Sequence, residues 1–165
     1  MANARVRTLR FVPTCFVTSV RYLASNSSKL FNVGDEAELR QVISVEDVRN
    51  FAELTGDVNP IHLDENFAKK TRFGRTIVHG VILNGLISTI HGTKLPGPGC
   101  MILSQAFKYP APLFPGEEVL VHVKVAESRH SIMTCHVSCT AVQRNMVVLS
   151  GETKLLVPRK LDEKQ

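Results

Sequence analysis

Tryptophan is absent from the 165 residues of this sequence, and aromatic residues of all kinds make up only 6%. Modules that bind single-stranded RNA stack its bases on exposed aromatic side chains and carry RRM or KH motifs, neither of which occurs here. No uninterrupted apolar run reaches the roughly 18 residues of a membrane-spanning helix. We therefore expect neither nucleic-acid binding nor insertion into a membrane, and the length suits one globular domain.

Acidic residues are missing from residues 1–28, which contain four arginines: Arg5, Arg7, Arg10 and Arg21. These four account for most of the formal net charge of +5, because the other 16 of the 20 basic residues face 15 acidic ones. The rest of the chain is nearly neutral and therefore lacks the basic surface that binds nucleic acid.

Residues 1–28 have the composition of a mitochondrial transit peptide, which is rich in arginine and hydroxyl groups and poor in acids. Apolar residues recur within them at rough helical spacing, at Val6, Leu9, Val12 and Phe16. We therefore predict a targeting segment over residues 1–28 and a location in the mitochondrial matrix. The alternative is an N-terminal tail without any targeting function.

Metal and disulfide motifs are also lacking. Of the four cysteines, Cys15 lies in the predicted targeting segment, and Cys100, Cys135 and Cys139 include no C-x-x-C pair. The sequence contains no H-E-x-x-H array, and the turn Gly97-Pro98-Gly99 lacks the residues of a phosphate-binding loop. We predict no metal site and no disulfide framework, which suits a reducing compartment. Cys135 and Cys139 are four residues apart in a predicted strand, so they are expected to share one buried face.

Local patterns predict the first half of the fold. Residues Glu38–Ile43 have the pattern of a strand, and Ser44 then opens a capping-box pattern at the start of a helix. Apolar residues follow at helical spacing until Gly56, which is expected to end this helix. After a polar loop we predict a short helix over Asp64–Thr71 and an apolar helix over His79–His91.

The second half is rich in β-branched residues and contains four candidate strands: Met101–Tyr109, Val119–Glu127, Met133–Gln143 and Val147–Val157. Strands that follow helices in this way are typical of an α+β fold, here an antiparallel sheet wrapped around the central apolar helix. No linker or repeat divides the chain. We therefore predict one domain over residues 29–160, followed by a charged tail over residues 161–165.

An ordered set of motifs gives the sequence a resemblance to a known family. The motifs are Asp57-Val58-Asn59-Pro60-Ile61-His62-Leu63-Asp64, Ala68, Phe73-Gly74, His79-Gly80-Val81-Ile82, Leu95-Pro96-Gly97-Pro98-Gly99, Phe107, and Pro110 through Gly116-Glu117. In order and spacing they resemble the MaoC-like, R-specific enoyl hydratases of the hot-dog fold, over most of the chain after residue 28. With the N-terminal segment included, the resemblance is strongest to mitochondrial members that dehydrate hydroxyacyl thioesters.

That resemblance implies a single hot-dog domain that forms a homodimer, with the substrate tunnel near the subunit interface. It implies interconversion of (3R)-hydroxyacyl and trans-2-enoyl thioesters carried by acyl carrier protein, in fatty-acid synthesis, or by coenzyme A. Basic residues near the tunnel mouth are candidates for contact with an acidic carrier, although such charges are often only solvated: Lys69, Lys70, Arg72 and Arg75. Addition of water involves no net redox change, so no cofactor is expected.

Asp57 and His62 are the catalytic residues that the resemblance implies. Dehydration removes a proton from C2 and a hydroxyl from C3, which requires one base and one acid that face a dry pocket. We assign the C2 proton to His62 and protonation of the hydroxyl to Asp57. The reverse division stays open, because coupled groups titrate as a pair. The structural alternatives are an Asx-turn residue for Asp57 and a surface or core histidine for His62.

Three further residues are expected to support the site. Gly80 lies at the start of the apolar helix, where free backbone N–H groups and the positive end of the helix dipole favour a negative charge. Its N–H is therefore a candidate donor of an oxyanion hole, with simple packing as the alternative. Asn59 is expected to orient the loop or to contact water, unless it is an ordinary turn residue. His79 is expected to support the site structurally.

Two other functions remain as alternatives. A hot-dog thioesterase would hydrolyse the thioester and would not need Asp57 and His62 in this setting. A non-catalytic hot-dog subunit that stabilises a partner would be free to lose both residues. The presence of both residues favours the dehydratase.

Overall fold

The computed structural model of the protein describes residues 31–157. The predicted targeting segment over residues 1–28, the tail over residues 161–165 and the domain boundaries at residues 29 and 160 lie outside the described residues. Within residues 31–157, no helix is long and apolar enough to span a membrane.

Five antiparallel strands form one sheet. In chain order they are β1 (Glu36–Val42), β2 (Met101–Lys108), β3 (Glu118–Arg129), β4 (Ile132–Ala141) and β5 (Met146–Leu156). Their order across the sheet is β1-β3-β4-β5-β2. The last three strands of the chain therefore form a meander, and the two strands that come earlier occupy its two edges. All five predicted strands are confirmed, with ends that differ by at most two residues from the predicted ones.

Four helices lie between β1 and β2 in the sequence: α1 (Val45–Thr55), α2 (Pro60–Leu63), α3 (Glu65–Ala68) and α4 (Gly80–Thr93). The start of α1 is a reciprocal capping box, as predicted. The Asp47 amide donates to Ser44 Oγ at 3.0 Å, and the Ser44 amide donates to the Asp47 carboxylate at 2.8 Å. The helix ends at Gly56, whose φ of 79° suits glycine and whose amide donates to the Ala52 carbonyl. These caps fix where the loop towards the site begins.

The segment predicted as a polar loop through His62 contains α2, so that part of the prediction was wrong. Pro60 is the first residue of α2, where its fixed φ suits a helix and its missing N–H is not needed. Asn59 Oδ1 accepts from the Ile61 amide at 3.2 Å and caps the turn. The short helix predicted over Asp64–Thr71 shrinks to α3, which Asp64 caps. His62 therefore lies on the helical turn α2 and not in a loop.

The core lies between α4 and one face of the sheet. Buried residues alternate along β3 and β4, as expected of strands with one covered face: Val119, Val121, Val123, Val125, Met133, Cys135, Val137, Cys139 and Ala141. From α4, Leu83, Ile87 and Ile90 pack against them with at most 2% of their surface exposed. Each such side chain contributes about 1.5–3 kcal/mol to folding by leaving water. The predicted α+β architecture is confirmed.

The sheet of one chain covers only one side of α4. Val81 is 58% exposed, and Gly85, Ser88 and Gly92 lie on the same open side of the helix. The sheet of a single chain thus packs on the side of the helix that carries Leu83, Ile87 and Ile90 and leaves the opposite side open. The prediction for the two strand cysteines is confirmed, because Cys135 and Cys139 are both fully buried on the same face of β4. This burial raises the pKa of each thiol to about 12.

Candidate active site

His62 is held in one tautomer by the chain that precedes α4. Its Nδ1 lies 2.8 Å from the backbone oxygen of Ile77. A carbonyl oxygen only accepts, so Nδ1 carries the hydrogen and Nε2 presents a free lone pair. Burial lowers the pKa of the half-buried imidazole and nearby His79 lowers it further, against the opposing effects of the Ile77 bond and of Asp57. A neutral His62 with a free Nε2 is suited to act as a base.

Asp57 follows the glycine that ends α1 and lies beside His62. Its Oδ1 accepts a long hydrogen bond of 3.4 Å from the Asn59 amide, so the contact of an Asx turn is present. The side chain is 52% exposed. Its other carboxylate oxygen, Oδ2, lies 3.9 Å from Nε2 of His79. A carboxylate oxygen of Asp57, a ring nitrogen of His62 and a ring nitrogen of His79 all lie within 4.8 Å of one another. The loop therefore brings the predicted acid and base together.

His79 is buried beneath this pair. Its Nε2 donates to the backbone oxygen of Asp57 at 3.0 Å, and only 2% of the residue is exposed. Its ring stacks on that of His62 with centroids 3.8 Å apart and planes 28° apart. The ring of Phe51 also packs against it, tilted by 51° and with centroids 4.9 Å apart. The Nδ1 atom is buried and has no hydrogen-bond partner within residues 31–157.

Asn59 orients the turn that carries His62. Besides capping α2 with its side chain, its backbone oxygen accepts from the His62 amide at 3.0 Å. Asn59 thus contacts both the residue after Pro60 and the candidate base. This is one of the two supporting roles expected for it.

Gly80 and His62 line the same cavity, which has a volume of about 360 Å³. The other lining residues are largely apolar: Phe73, Ile77, Val78, Val81, Leu83, Tyr109, Ala111, Pro112, Leu113 and Val148. Gly80 is the first residue of α4, so its N–H belongs to the end of the helix that has no intrahelical acceptors. Asp57 does not belong to this lining, although it lies close to His62. The cavity therefore combines an apolar wall with one base and one helix start.

Tyr109 was missed by the sequence analysis. Its ring lies against Gly80, where an added Cβ would come within 2.9 Å of Cε1. Its hydroxyl donates to Asn84 Oδ1 at 2.8 Å. The contact with Tyr109 supports the packing alternative for Gly80, because a side chain there would displace the tyrosine ring. The sequence signal for this contact was Asn84, a polar residue inside an otherwise apolar helix, which indicated a hydrogen-bond partner from elsewhere in the chain.

The three polar residues are not arranged like a metal centre. Imidazole lone pairs lie in the plane of the ring, so two rings that share a metal ion must point edge-on towards it. The rings of His62 and His79 instead stack face to face. One nitrogen of each ring also donates to a backbone carbonyl. The geometry suits proton transfer at His62 better than metal binding.

Comparison with known proteins places this geometry in a family. Residues 32–146 match the model of the MaoC like domain. A 3-hydroxybutyryl-CoA dehydratase from Methylorubrum extorquens is 46% identical over 128 residues, which cover 78% of this chain and 82% of the relative. A mitochondrial 3-hydroxyacyl-[acyl-carrier-protein] dehydratase from Arabidopsis thaliana is 30% identical over 144 residues, which cover 84% and 86%.

A solved structure agrees with the sequence comparison. The (R)-hydratase of Aeromonas caviae superposes with a TM-score of 0.74 at 36% identity, over 78% of this chain and 98% of the hydratase. This likeness confirms the predicted hot-dog fold. The chain therefore belongs to the MaoC-like dehydratase family.

Proposed function

We propose that the protein interconverts (3R)-3-hydroxyacyl thioesters and trans-2-enoyl thioesters by loss or gain of water. The observation that carries this proposal is the pairing of His62 with Asp57: one ring nitrogen of His62 lies within 4.8 Å of a carboxylate oxygen of Asp57, and the Ile77 bond to Nδ1 leaves Nε2 without a hydrogen. A base and an acid at this separation span adjacent carbon atoms of a substrate. The apolar cavity beside them suits an acyl chain.

In the dehydration, His62 Nε2 takes the proton from C2, and the electrons of that bond move towards the thioester carbonyl. The Gly80 N–H, at the positive end of α4, stabilises the negative charge on the carbonyl oxygen. The charge then returns to form the C2–C3 double bond while Asp57 protonates the departing C3 hydroxyl as water. In the hydration, Asp57 and His62 hold and activate the water. The proton gained by one residue and lost by the other is exchanged with solvent between turnovers.

The experiment that tests this proposal mixes protein from residue 29 onwards with crotonyl-CoA and follows ultraviolet absorbance. Loss of the conjugated enoyl signal, with (3R)-hydroxybutyryl-CoA as the product on chiral analysis, is the expected result. Release of free thiol would replace the proposal with a thioesterase. If neither crotonyl-CoA nor crotonyl-acyl carrier protein reacts, the protein is a non-catalytic subunit.

We propose acyl carrier protein as the physiological carrier and mitochondrial fatty-acid synthesis as the setting. The acid-free, arginine-bearing residues 1–28 and the mitochondrial name of the Arabidopsis relative support this choice. The Methylorubrum relative, which is named for a coenzyme A substrate, supports coenzyme A as the alternative. The ratio of kcat/KM for crotonyl-acyl carrier protein to that for crotonyl-CoA decides between them. A fluorescent protein fused after residue 28 tests the location in the matrix.

We also propose that the protein acts as a homodimer. The open side of α4 and the half-exposed Asp57 are features that a second copy would cover, and water exclusion would strengthen the electrostatics of the site. Light scattering after size-exclusion chromatography should give twice the mass of one chain. A monomer that turns over substrate would contradict the need for a second copy.

A further inference from the structure

His79 joins the two candidate catalytic groups to each other. Its Nε2–H donates to the backbone oxygen of Asp57, and its ring covers one face of His62. It is also the residue directly before α4, so it adjoins Gly80. One buried side chain thus touches the backbone of the acid and the ring of the base.

The contacts of His79 determine its tautomer. The Asp57 carbonyl only accepts, so Nε2 of His79 carries a hydrogen. Nδ1 is buried and has no hydrogen-bond partner within the described part of the chain. His79 therefore presents its Nε2–H to the backbone of Asp57 and one face of its ring to His62.

We propose that His79 is a positioning residue for the reaction, an imidazole that holds the Asp57 backbone and the His62 ring in a fixed relative position. This inference rests on the proposed function, because it requires Asp57 and His62 to be the reacting pair. The N–H fixes the acid through its backbone, and the ring face excludes water from the base. The hydrogen bond to Asp57 and the ring contact with His62 can be removed one at a time, because one replacement side chain keeps a ring and another keeps an N–H.

Two substitutions separate these contacts. His79→Phe keeps a ring over His62 and removes the donor to Asp57, so kcat should fall about 10- to 100-fold with KM little changed. The acidic limb of the kcat/KM profile, which reports the protonation of His62 in the free enzyme, should move only slightly to higher pH, because the ring still buries His62 while the smaller lowering effect of His79 on its pKa is lost. His79→Gln keeps an N–H near the position of Nε2 and removes the ring. Its kcat should recover part of the loss, and its acidic limb should move to higher pH, because burial is the main cause that lowers the pKa of His62.

His91 provides a matched control. It lies on the same helix, is 1% exposed, and its Nδ1 donates to the backbone oxygen of Leu95 at 3.0 Å. The substitution His91→Phe therefore removes the same kind of bond from a buried histidine remote from Asp57. His91→Phe should lower thermal stability about as much as His79→Phe does. It should leave kcat within about twofold of the wild type and the acidic limb of the profile in place. Equal kcat losses in His79→Phe and His91→Phe would overturn the proposal and leave a structural role only.

The bond from His79 to Asp57 is tested without any activity measurement. Two-bond nitrogen–proton NMR spectra of the wild-type protein should show that Nε2 of His79 carries a hydrogen, as the bond to the Asp57 carbonyl requires. A His79 whose Nε2 carries no hydrogen would contradict the proposal even if the variants behave as expected. A wild-type protein inactive on both carriers would instead remove the proposed function, so the two failures are distinguishable.

Discussion

Strands β3 and β4 and the segment from Gly56 to His79 hold their residues in opposite ways. In the strands every second residue is buried, and these residues are apolar. In the segment of 24 residues only four are buried: Ala68, Thr76, Val78 and His79. Local caps and single hydrogen bonds, such as that from His62 to Ile77, replace a continuous core there. The strands therefore determine whether the protein folds, and the segment determines what it does.

Substitutions at the candidate acid and base should break activity without breaking the fold. Asp57→Asn or His62→Ala should lower kcat by about 10²- to 10⁴-fold, because each removes a proton-transfer group. Neither side chain is buried in the core, so the melting temperature should stay within a few degrees of the wild type. Initial rates and circular dichroism melts measure both quantities. Near-normal turnover in either variant would contradict the mechanism.

The reverse result is expected in the core. Leu149 on β5 is fully buried, so Leu149→Ala should lower the free energy of unfolding by about 2–5 kcal/mol. Activity per folded molecule should remain, because the residue lies outside the candidate site. Leu54→Ala is the matched control, since Leu54 is 84% exposed and its truncation should cost less than about 0.5 kcal/mol. Urea titrations followed by rate measurements at low denaturant separate these effects.

Arg144 lies where the sheet meets the cavity wall. It donates to both oxygens of Glu117 at 2.6 and 2.9 Å and to the backbone oxygen of Pro112 at 2.7 Å, and it stacks on Phe114. Arg144→Ala should lower the free energy of unfolding by about 1–3 kcal/mol. Because Pro112 lines the cavity, KM should rise as well. Arg144→Ala should therefore affect both stability and activity, whereas the site and core substitutions above each affect only one of them.

The effect of Arg144→Ala should depend on pH. Burial raises the pKa of Glu117, but hydrogen bonds from Arg144 and from the Phe114 amide outweigh it and hold the pKa below its ordinary value. A carboxyl whose pKa is depressed on folding stabilises the protein above its unfolded pKa and loses this effect as pH falls through the folded pKa. The stability difference between wild type and variant should therefore shrink below about pH 4.5. A constant difference from pH 7 to pH 3 would contradict this account.

The smallest effect is expected from exposed charge. Lys69 and Lys70 are exposed at the end of α3 and form no ion pair among the described residues. The double variant Lys69→Glu, Lys70→Glu should leave stability within about 0.5 kcal/mol. If an acidic carrier protein docks there, KM for crotonyl-acyl carrier protein should rise several-fold at low salt and less at high salt. An unchanged KM would mean that these lysines are only solvated.

The parts of the fold that the sequence predicts are those specified by near neighbours in the chain. Ser44 and Gly56 delimit α1 through bonds to residues three and four positions away. The alternation in β3 and β4 is likewise local. The place of β1 beside β3 is not local, because it pairs Glu36 with Lys124. Only burial of the whole apolar face selects that order.

The site was predicted through family resemblance and only partly through chemistry. The resemblance named Asp57 and His62, and the position of Gly80 at a helix start suggested that residue. The structure brings Asp57 and His62 together and places His62 and Gly80 in one cavity wall. The stacking of His79 on His62 and the contact of Tyr109 with Gly80 were not predicted. Both depend on how the segment before α4 and the end of β2 fold back, which no short motif encodes.

The edge position of β1 has a consequence for the order of folding during synthesis. The ribosome produces β1 and all four helices before β3, yet β1 pairs only with β3 within the described sheet. The apolar residues of α4 therefore have no sheet to pack on until about residue 129 has emerged. Contacts of such long sequence separation form slowly, and exposed apolar helices aggregate or recruit chaperones. The half of the chain that bears the site is therefore synthesised first, but it reaches its native packing only after the later strands have been made.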